Sequence, residues 1–103
     1  MKKGVPLPVH RAVVSASVGL HARPAALFVR AVTETGFPVT IRKADIQAVD
    51  ARSLLEVMTA DFQHGCEVEL SITDAALQGL SSVEAAQDAL TMLAALLESQ
   101  GAR

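Results

Sequence analysis

The clearest pattern along the chain is the unbroken alternation of apolar and polar residues from Cys66 to Ile72, which predicts a strand with one dry and one wet face. A partial alternation predicts an earlier strand from Ala12 to Val18, with Ala12, Val14, Ala16 and Val18 on one face. Two short strands are predicted at Pro38–Lys43 and Ile46–Asp50, joined by a turn between them. The pattern therefore predicts four strands.

A helical period separates the first strand from the second. Within residues 22–35 the apolar side chains recur at helical spacing, at Ala25, Phe28, Val29 and Val32. Pro24 is compatible with this helix because it lies in the first turn, where its missing N–H would have no partner. Gly36 is expected to end the helix.

Capping boxes predict two more helices. Ser53 with Glu56 is expected to begin a short helix toward Ala60, and Ser81 with Glu84 is expected to begin the last one. The apolar stripe of the last helix consists of Val83, Ala86, Leu90, Leu93 and Leu97, and the helix is expected to end before Gly101. The order β-α-β-β-α-β-α predicts a two-layer α+β fold, with a four-stranded antiparallel sheet and three helices on one face.

Length and composition are those of one small domain. The chain has 103 residues and only three aromatic ones, all Phe, so aliphatic side chains must build the core. Residues 1–8 contain Pro6 and Pro8 and are predicted to form a flexible leader, with the folded domain at 9–100. A formal charge of −2 gives no support to nucleic-acid binding.

The cysteine count and the apolar runs bear on the compartment. Cys66 is the only cysteine, so no intrachain disulfide can form, and it is expected to be a small core residue of its strand. The apolar runs fall short of the ~18–20 residues that span a bilayer, and the leader lacks the apolar segment of a signal peptide. We therefore expect a cytoplasmic protein that is not inserted in a membrane.

The residue that carries candidate chemistry is His21, which lies on a turn directly before the first helix. The first N–H groups of a helix have no internal partner and bear partial positive charge, so they attract anions. A phosphate on the His21 ring would meet the N–H groups of Ala22 and Arg23 and the Arg23 guanidinium. A surface histidine that only caps the helix explains the position equally well.

His10 and His64 have no Cys or carboxylate at metal-ligand spacing, so they are expected to be solvated. The sequence predicts neither a metal site nor a cofactor.

A string of eight residues favours the phosphate hypothesis. Gly19-Leu20-His21-Ala22-Arg23-Pro24-Ala25-Ala26 resembles the phosphorylation motif of HPr, the histidine-containing phosphocarrier family of the bacterial phosphoenolpyruvate-dependent phosphotransferase system. The segment 51–58 resembles the serine-bearing short helix of that family, and the resemblance extends over about residues 9–100. It implies an open-faced β-sandwich and a phosphoryl carrier, which is not a stand-alone catalyst.

The resemblance also implies partners and roles. His21 would take a phosphoryl group on Nδ1 from enzyme I and pass it to the A domain of a sugar-specific enzyme II, with Arg23 stabilising the phosphate. The implied docking surface is formed by Leu20, Ala26, Arg30, Leu54, Leu55 and Met58. Some of the apolar members are expected to face the core instead. With no large apolar stripe left over, a monomer is expected.

Ser53 matches the serine that a regulatory kinase phosphorylates in many Gram-positive members. An HPr kinase/phosphorylase and a transcriptional regulator are thus further implied partners. A purely structural role is equally available, because serine is a favoured helix N-cap.

Two residues depart from the sugar-transport pattern. Glu56 stands where that pattern has a glycine or a basic residue. Asp61 stands where the pattern has a glycine, and an Asp at this position resembles the nitrogen-related branch of the family. Two alternatives therefore stay open: a phosphocarrier of the nitrogen-related branch, and a regulatory binding module controlled at Ser53.

Overall fold

The structure is a computed structural model that describes residues 9–44, 46–72 and 80–101. Residues 1–8, for which a flexible leader was predicted, lie outside the described residues, as does Asp45 in the turn predicted after Lys43. The elements in chain order are β1 (Val9–Val13), α1 (Ala22–Thr35), β2 (Val39–Lys43), β3 (Val49–Asp50), α2 (Leu54–Thr59), β4 (Glu67–Ile72) and α3 (Leu80–Ser99).

The four strands form one antiparallel sheet in the order β1-β4-β2-β3. The strand that comes last in the chain, β4, thus lies between β1 and β2. Its register places Arg11 and Arg42 on either side of Glu69. The predicted α+β class and element order are confirmed.

One face of the sheet forms the core. Val68, Leu70 and Ile72 of β4 are buried, and the intervening Glu67 and Glu69 point to the opposite face, as the alternation predicted. The buried strand side chains pack with Phe28 of α1 in one hydrophobic cluster. Because α3 contacts β1 and β4, α2 contacts β3, and α1 contacts both other helices, the helices form a layer on this face.

The opposite face of the sheet is polar and open. Glu69 pairs there with Arg42 at 3.0 Å and with Arg11 at 3.8 Å. The hydroxyls of Thr40 and Ser71 are hydrogen-bonded across β2 and β4 at 2.9 Å. These cross-strand pairs support the register that the buried residues set on the other side.

Helix α1 begins and ends where the sequence predicted. His21 is its N-cap residue, Pro24 lies in its first turn, and Gly36 ends it in the left-handed conformation at φ 77°. Ala25, Phe28 and Val32 of the predicted stripe are buried, and Val29 is partly buried. Local sequence signals therefore suffice for this element.

The prediction for the first strand is wrong in its position. The strand spans Val9–Val13 instead of Ala12–Val18, so His10 lies within it and not before it. The strand register ends at the pair Val13–Glu67, and one further backbone bond, from the Val14 N–H to the Cys66 carbonyl at 2.9 Å, follows it before the chain turns away. Ala12, Val14 and Ala16 are buried as expected, but Val18 is 60% exposed in the turn that leads to His21.

The two predicted capping boxes also need correction. Ser53 is the N-cap of α2 and its hydroxyl accepts from the Glu56 N–H at 3.2 Å, but the Glu56 carboxylate accepts from the Asp50 N–H instead of from Ser53. Helix α3 spans Leu80–Ser99, so Ser81 lies within the helix and is not its cap.

Cys66 is a partly buried residue just before β4, packed against the core and not fully inside it.

Candidate functional site around His21

His21 lies where the chain turns from the sheet into α1. Its backbone is extended, with φ −131° and ψ 161°, and the next residue, Ala22, has a left-handed φ of 50°. The His21 side chain is 35% exposed and makes no capping bond to the helix it precedes. The expectation that His21 acts only as a side-chain cap is therefore wrong.

The N–H groups that follow His21 are available. The first backbone bond of the helix runs from the Ala25 N–H to the His21 carbonyl, at 3.5 Å. The preceding amides of Ala22 and Arg23 have no acceptor within a helix, because the residues that would supply it lie outside. This terminus presents backbone donors beside a partly exposed imidazole, an arrangement whose partial positive charge favours an anion.

Arg23 is exposed on the same first turn of α1. Among the described residues no carboxylate lies within ion-pair distance of its guanidinium, whereas Arg30 on the same helix pairs with Glu34 at 3.4 Å. A guanidinium with no carboxylate partner is a suitable ligand for phosphate oxygens.

A second segment reaches the site from far along the chain. The Leu20 N–H donates to the Phe62 carbonyl at 2.8 Å, which places His21 next to Asp61. The approach requires glycine at position 19, where φ is 74° and a Cβ atom would lie 2.6 Å from the same carbonyl oxygen. Asp61 has a left-handed φ of 60°.

The Asp61 carboxylate contacts the imidazole directly. Its Oδ1 lies 2.9 Å from Nε2 of His21, and its Oδ2 accepts from the Gln63 side chain at 3.0 Å. Lys43 donates to the Asp61 backbone carbonyl at 2.7 Å. The hydrogen bond with His21 is the main cause that lowers the pKa of Asp61 below its ordinary value, and the bond from Gln63 adds to it.

Sequence reasoning missed the contact between Asp61 and His21. It identified Asp61 only as a departure from a glycine pattern. The two residues are 40 positions apart, and no local spacing signals that contact. The one signal in the sequence was a polar residue that tolerates positive φ, at a position where the pattern that the chain resembles has glycine.

Ser53 and the predicted docking residues lie on α2 and α1, which contact each other. Leu55 is 77% exposed and Leu54 is 40% exposed, while Met58 is partly buried against the core. Ala26 and Arg30 are exposed on α1. These side chains are at least partly available to a partner.

Leu20 does not belong to that surface. Its side chain is fully buried, because the backbone bond to Phe62 turns it into the core, so the expectation that it lines a docking surface is wrong. Leu27, which sequence reasoning did not select, is 48% exposed beside Ala26. Its signal was an apolar residue outside the buried stripe of α1.

The described ranges contain no group of three or more His, Cys, Asp or Glu side chains arranged to hold a metal ion. Within the same ranges, no helix combines the length and the hydropathy that crossing a membrane requires.

Known proteins resemble this chain over most of its length. A family model described as "PTS HPr component phosphorylation site" matches residues 9–99. The phosphocarrier protein HPr of Streptomyces coelicolor is 48% identical over 79 residues, which cover 77% of this chain and 75% of that protein.

Two solved structures are similar to this fold. HPr-C-His from Thermoanaerobacter tengcongensis superposes with a TM-score of 0.74 at 28% identity, covering 92% of this chain and 96% of that one. A phosphocarrier protein HPr from Bacillus anthracis gives a TM-score of 0.71 at 31% identity, covering 87% and 95%.

Proposed function

The chain belongs to the HPr phosphocarrier family, and we propose that it carries a phosphoryl group on His21 between enzyme I and the A domain of a sugar-specific enzyme II. The observation that carries the proposal is the partly exposed imidazole at the start of α1, next to the first N–H groups of the helix and to Arg23 in its first turn. The family supports the general role in the phosphotransferase system. The partners, the transfer steps and the site residues are our inference.

In the proposed transfer, the Nδ1 lone pair of His21 forms a bond to phosphorus. The bond from phosphorus to the donor group breaks, and its electron pair leaves with the donor. The phosphoryl oxygens then face the Ala22 and Arg23 amides and the Arg23 side chain. Transfer to the acceptor is the same step in reverse, with the acceptor nucleophile attacking phosphorus and the electron pair returning to Nδ1.

The strength of this site suits a carrier. A helix terminus contributes about 0.3–1 kcal/mol to an exposed anion, and a hydrogen bond to a charged group about 1.5–3 kcal/mol. Each ~1.4 kcal/mol changes an equilibrium tenfold. A few such contacts orient the phosphoryl group without making its release unfavourable.

We propose that both partners dock over α1 and α2, on the exposed parts of Ala26, Arg30, Leu54, Leu55 and Met58. Leu and Met side chains exposed on a short helix are typical of a partner surface. A carrier that presents one face to two partners in turn is expected to act as a monomer. The single cysteine fits the reducing cytoplasm as its compartment.

Ser53 is proposed as a regulatory phosphorylation site within this surface. Its hydroxyl already caps α2, and a phosphate at a helix N-terminus is favourable, so modification would not unfold the helix. The added charge would act on docking instead. A kinase/phosphorylase and a transcriptional regulator would be the partners of this second role.

The nitrogen-related branch is the alternative, and the observation that favours it is Asp61, which replaces the glycine of the sugar-transport pattern and contacts His21. The chemistry at His21 is the same in both branches. Co-purification separates them: the enzyme I and A domain that bind this chain identify the branch.

The test of the site is labelling of the purified protein with phosphoenolpyruvate and enzyme I. We expect a mass increase of one phosphate that is labile in acid and stable in base. His21→Ala is expected to abolish the label. His64→Ala, which removes an exposed histidine in a turn, is the matched control and is expected to label as the wild type does. Full labelling of His21→Ala would refute the assignment.

A further inference from the structure

The carboxylate that meets His21 comes from a different part of the chain than the helix that would bind phosphate. We propose that Asp61 is a positioning residue, which holds the proton of the His21 ring on Nε2 and thereby leaves the Nδ1 lone pair free for phosphoryl transfer. This inference rests on the proposed function, because it assigns a role within the same site.

The geometry defines which nitrogen is engaged. Asp61 Oδ1 lies 2.9 Å from Nε2 of His21, which is hydrogen-bond distance. An ionised carboxylate has no proton to donate, so the Nε2–H must be the donor. Since the neutral imidazole has one N–H, a proton on Nε2 leaves Nδ1 as the nucleophilic nitrogen. The contact therefore selects one of the two tautomers.

The carboxylate itself is held in place. Gln63 donates to its second oxygen at 3.0 Å, and Lys43 donates to the Asp61 carbonyl at 2.7 Å. The link from Leu20 to Phe62 connects the two segments at the positions next to His21 and Asp61. Asp61 is thus fixed by its neighbours although about half of its side chain, 52%, is exposed.

The backbone of Asp61 supports a role for its side chain. A residue with φ 60° is in the region that glycine adopts freely and other L-residues adopt at a cost. Glycine would relieve that strain at position 61, but it would remove the carboxylate. An outlier of this kind beside a reactive group points to a functional contact.

The proton balance of the transfer gives the carboxylate a second effect. When Nδ1 bonds to phosphorus while Nε2 keeps its proton, the ring becomes positively charged, and Asp61 lies next to that charge. The proton stays on Nε2 throughout, and the positively charged ring is the better leaving group when the phosphoryl group moves on. A ring that lost this proton would release phosphate less readily.

The first measurement is the tautomer of the unphosphorylated protein, from the ¹⁵N chemical shifts of His21 at about pH 9, where imidazole side chains are neutral. The variants are Asp61→Gly and Asp61→Asn, both of which tolerate a positive φ. We expect the Nδ1–H fraction to rise by about two- to fivefold in Asp61→Gly, because the neutral ring loses an exposed hydrogen bond whose strength is no greater than that of an exposed ion pair. Asp61→Asn, which keeps an acceptor oxygen without the charge, should give a smaller rise.

The control is Asp88→Asn, the same chemical change on an exposed residue of α3, which should leave the tautomer as it is. An unchanged tautomer ratio in Asp61→Gly would overturn the proposal. Because this readout needs no partner protein, it is independent of the proposed function. That function fails separately, if enzyme I does not label wild-type His21.

The second measurement is the rate of phosphorylation by phosphoramidate, a small donor that needs no docking surface. Asp61→Gly should react about two- to fivefold more slowly than the wild type, because the carboxylate no longer stabilises the positive charge that the ring gains, and Asp88→Asn should react at the wild-type rate. An Asp61→Gly variant that reacts as fast as the wild type would contradict a role for the carboxylate in phosphoryl transfer to Nδ1.

Discussion

A substitution at Gly19 tests most directly whether the turn before α1 packs against the segment that carries Asp61 and Phe62. The Gly19 φ of 74° lies in the left-handed region, and a Cβ atom there would lie 2.6 Å from the Phe62 carbonyl oxygen. That same oxygen accepts the Leu20 N–H at 2.8 Å. Gly19→Ala must therefore strain the backbone and also displace the carbonyl that joins the segments.

The expected loss follows from these two effects. The left-handed backbone costs an alanine about 1–2 kcal/mol, and the displaced hydrogen bond costs about 0.5–1.5 kcal/mol more. Together they predict a decrease of about 1.5–3.5 kcal/mol in the free energy of unfolding. For a domain of this size each kcal/mol lowers Tm by about 4–8 °C, so thermal denaturation followed by circular dichroism is sufficient to detect it.

Gly36→Ala is the matched control. Gly36 has a φ of 77°, but a Cβ atom there would have no neighbour within 4 Å, so only the backbone cost of about 1–2 kcal/mol is expected. The difference between the variants isolates the contact with Phe62. If Gly19→Ala is no less stable than Gly36→Ala, the close approach at this position is wrong.

Three further predictions concern α2 and the carboxylate at the site. Ser53→Ala should lower the free energy of unfolding by about 0.5–2 kcal/mol in urea denaturation, because it removes the cap of α2, whereas Ser53→Asp should keep the cap and slow labelling by enzyme I in a salt-dependent manner. Leu55→Ser should change stability by less than about 0.5 kcal/mol, since the side chain is 77% exposed, yet slow labelling by enzyme I. In a carboxyl ¹³C titration, the pKa of Asp61 should rise toward its ordinary value in His21→Ala, because the hydrogen bond with His21 is the main cause of its lowering. A lowered carboxyl pKa stabilises the fold above the ordinary value and loses that effect as the pH falls through the folded-state pKa, so the stability advantage of wild type over His21→Ala should vanish in acid.

Each of these has a contradicting result. Equal stability of Ser53→Ala and wild type would show that the cap contributes nothing. Unchanged labelling of Leu55→Ser would remove Leu55 from the docking surface, and an Asp61 titration that does not respond to His21→Ala would contradict the hydrogen bond between the two side chains.

The elements that local signals define were predictable from sequence. The predicted range of α1 matches because its period, the proline in its first turn and Gly36 at its end all act within a few residues. The alternation of β4 matches because this central strand packs one face on the helix layer and leaves the other face open, so its side chains alternate along the whole strand.

The features that the sequence predicted wrongly depend on contacts with distant parts of the chain. The range of β1 is set by where its partner β4 begins, and the half-buried His10 interrupts the apolar pattern. Leu20 is adjacent to the candidate site in sequence, but a bond to Phe62 directs its side chain inward. That Leu20 is next to His21 in the sequence therefore did not indicate that its side chain is exposed beside His21.

The candidate site divides in the same way. His21 and the helix that follows it are one contiguous segment, so the position of His21 directly before a helix N-terminus was predictable from residue order. Asp61 reaches His21 only because the segment before β4 folds back onto the turn before α1. Contacts of this kind depend on topology and have no sequence period.

The most direct test of the central claim is whether the phosphoryl group on His21 can be transferred back to the donor. The protein is labelled with ³²P from phosphoenolpyruvate through enzyme I, and excess unlabelled pyruvate is then added. A carrier must return the label to phosphoenolpyruvate, and His21 should lose it at a rate that depends on the enzyme I concentration. Label that remains on the protein after pyruvate is added would contradict reversible phosphoryl transfer at His21.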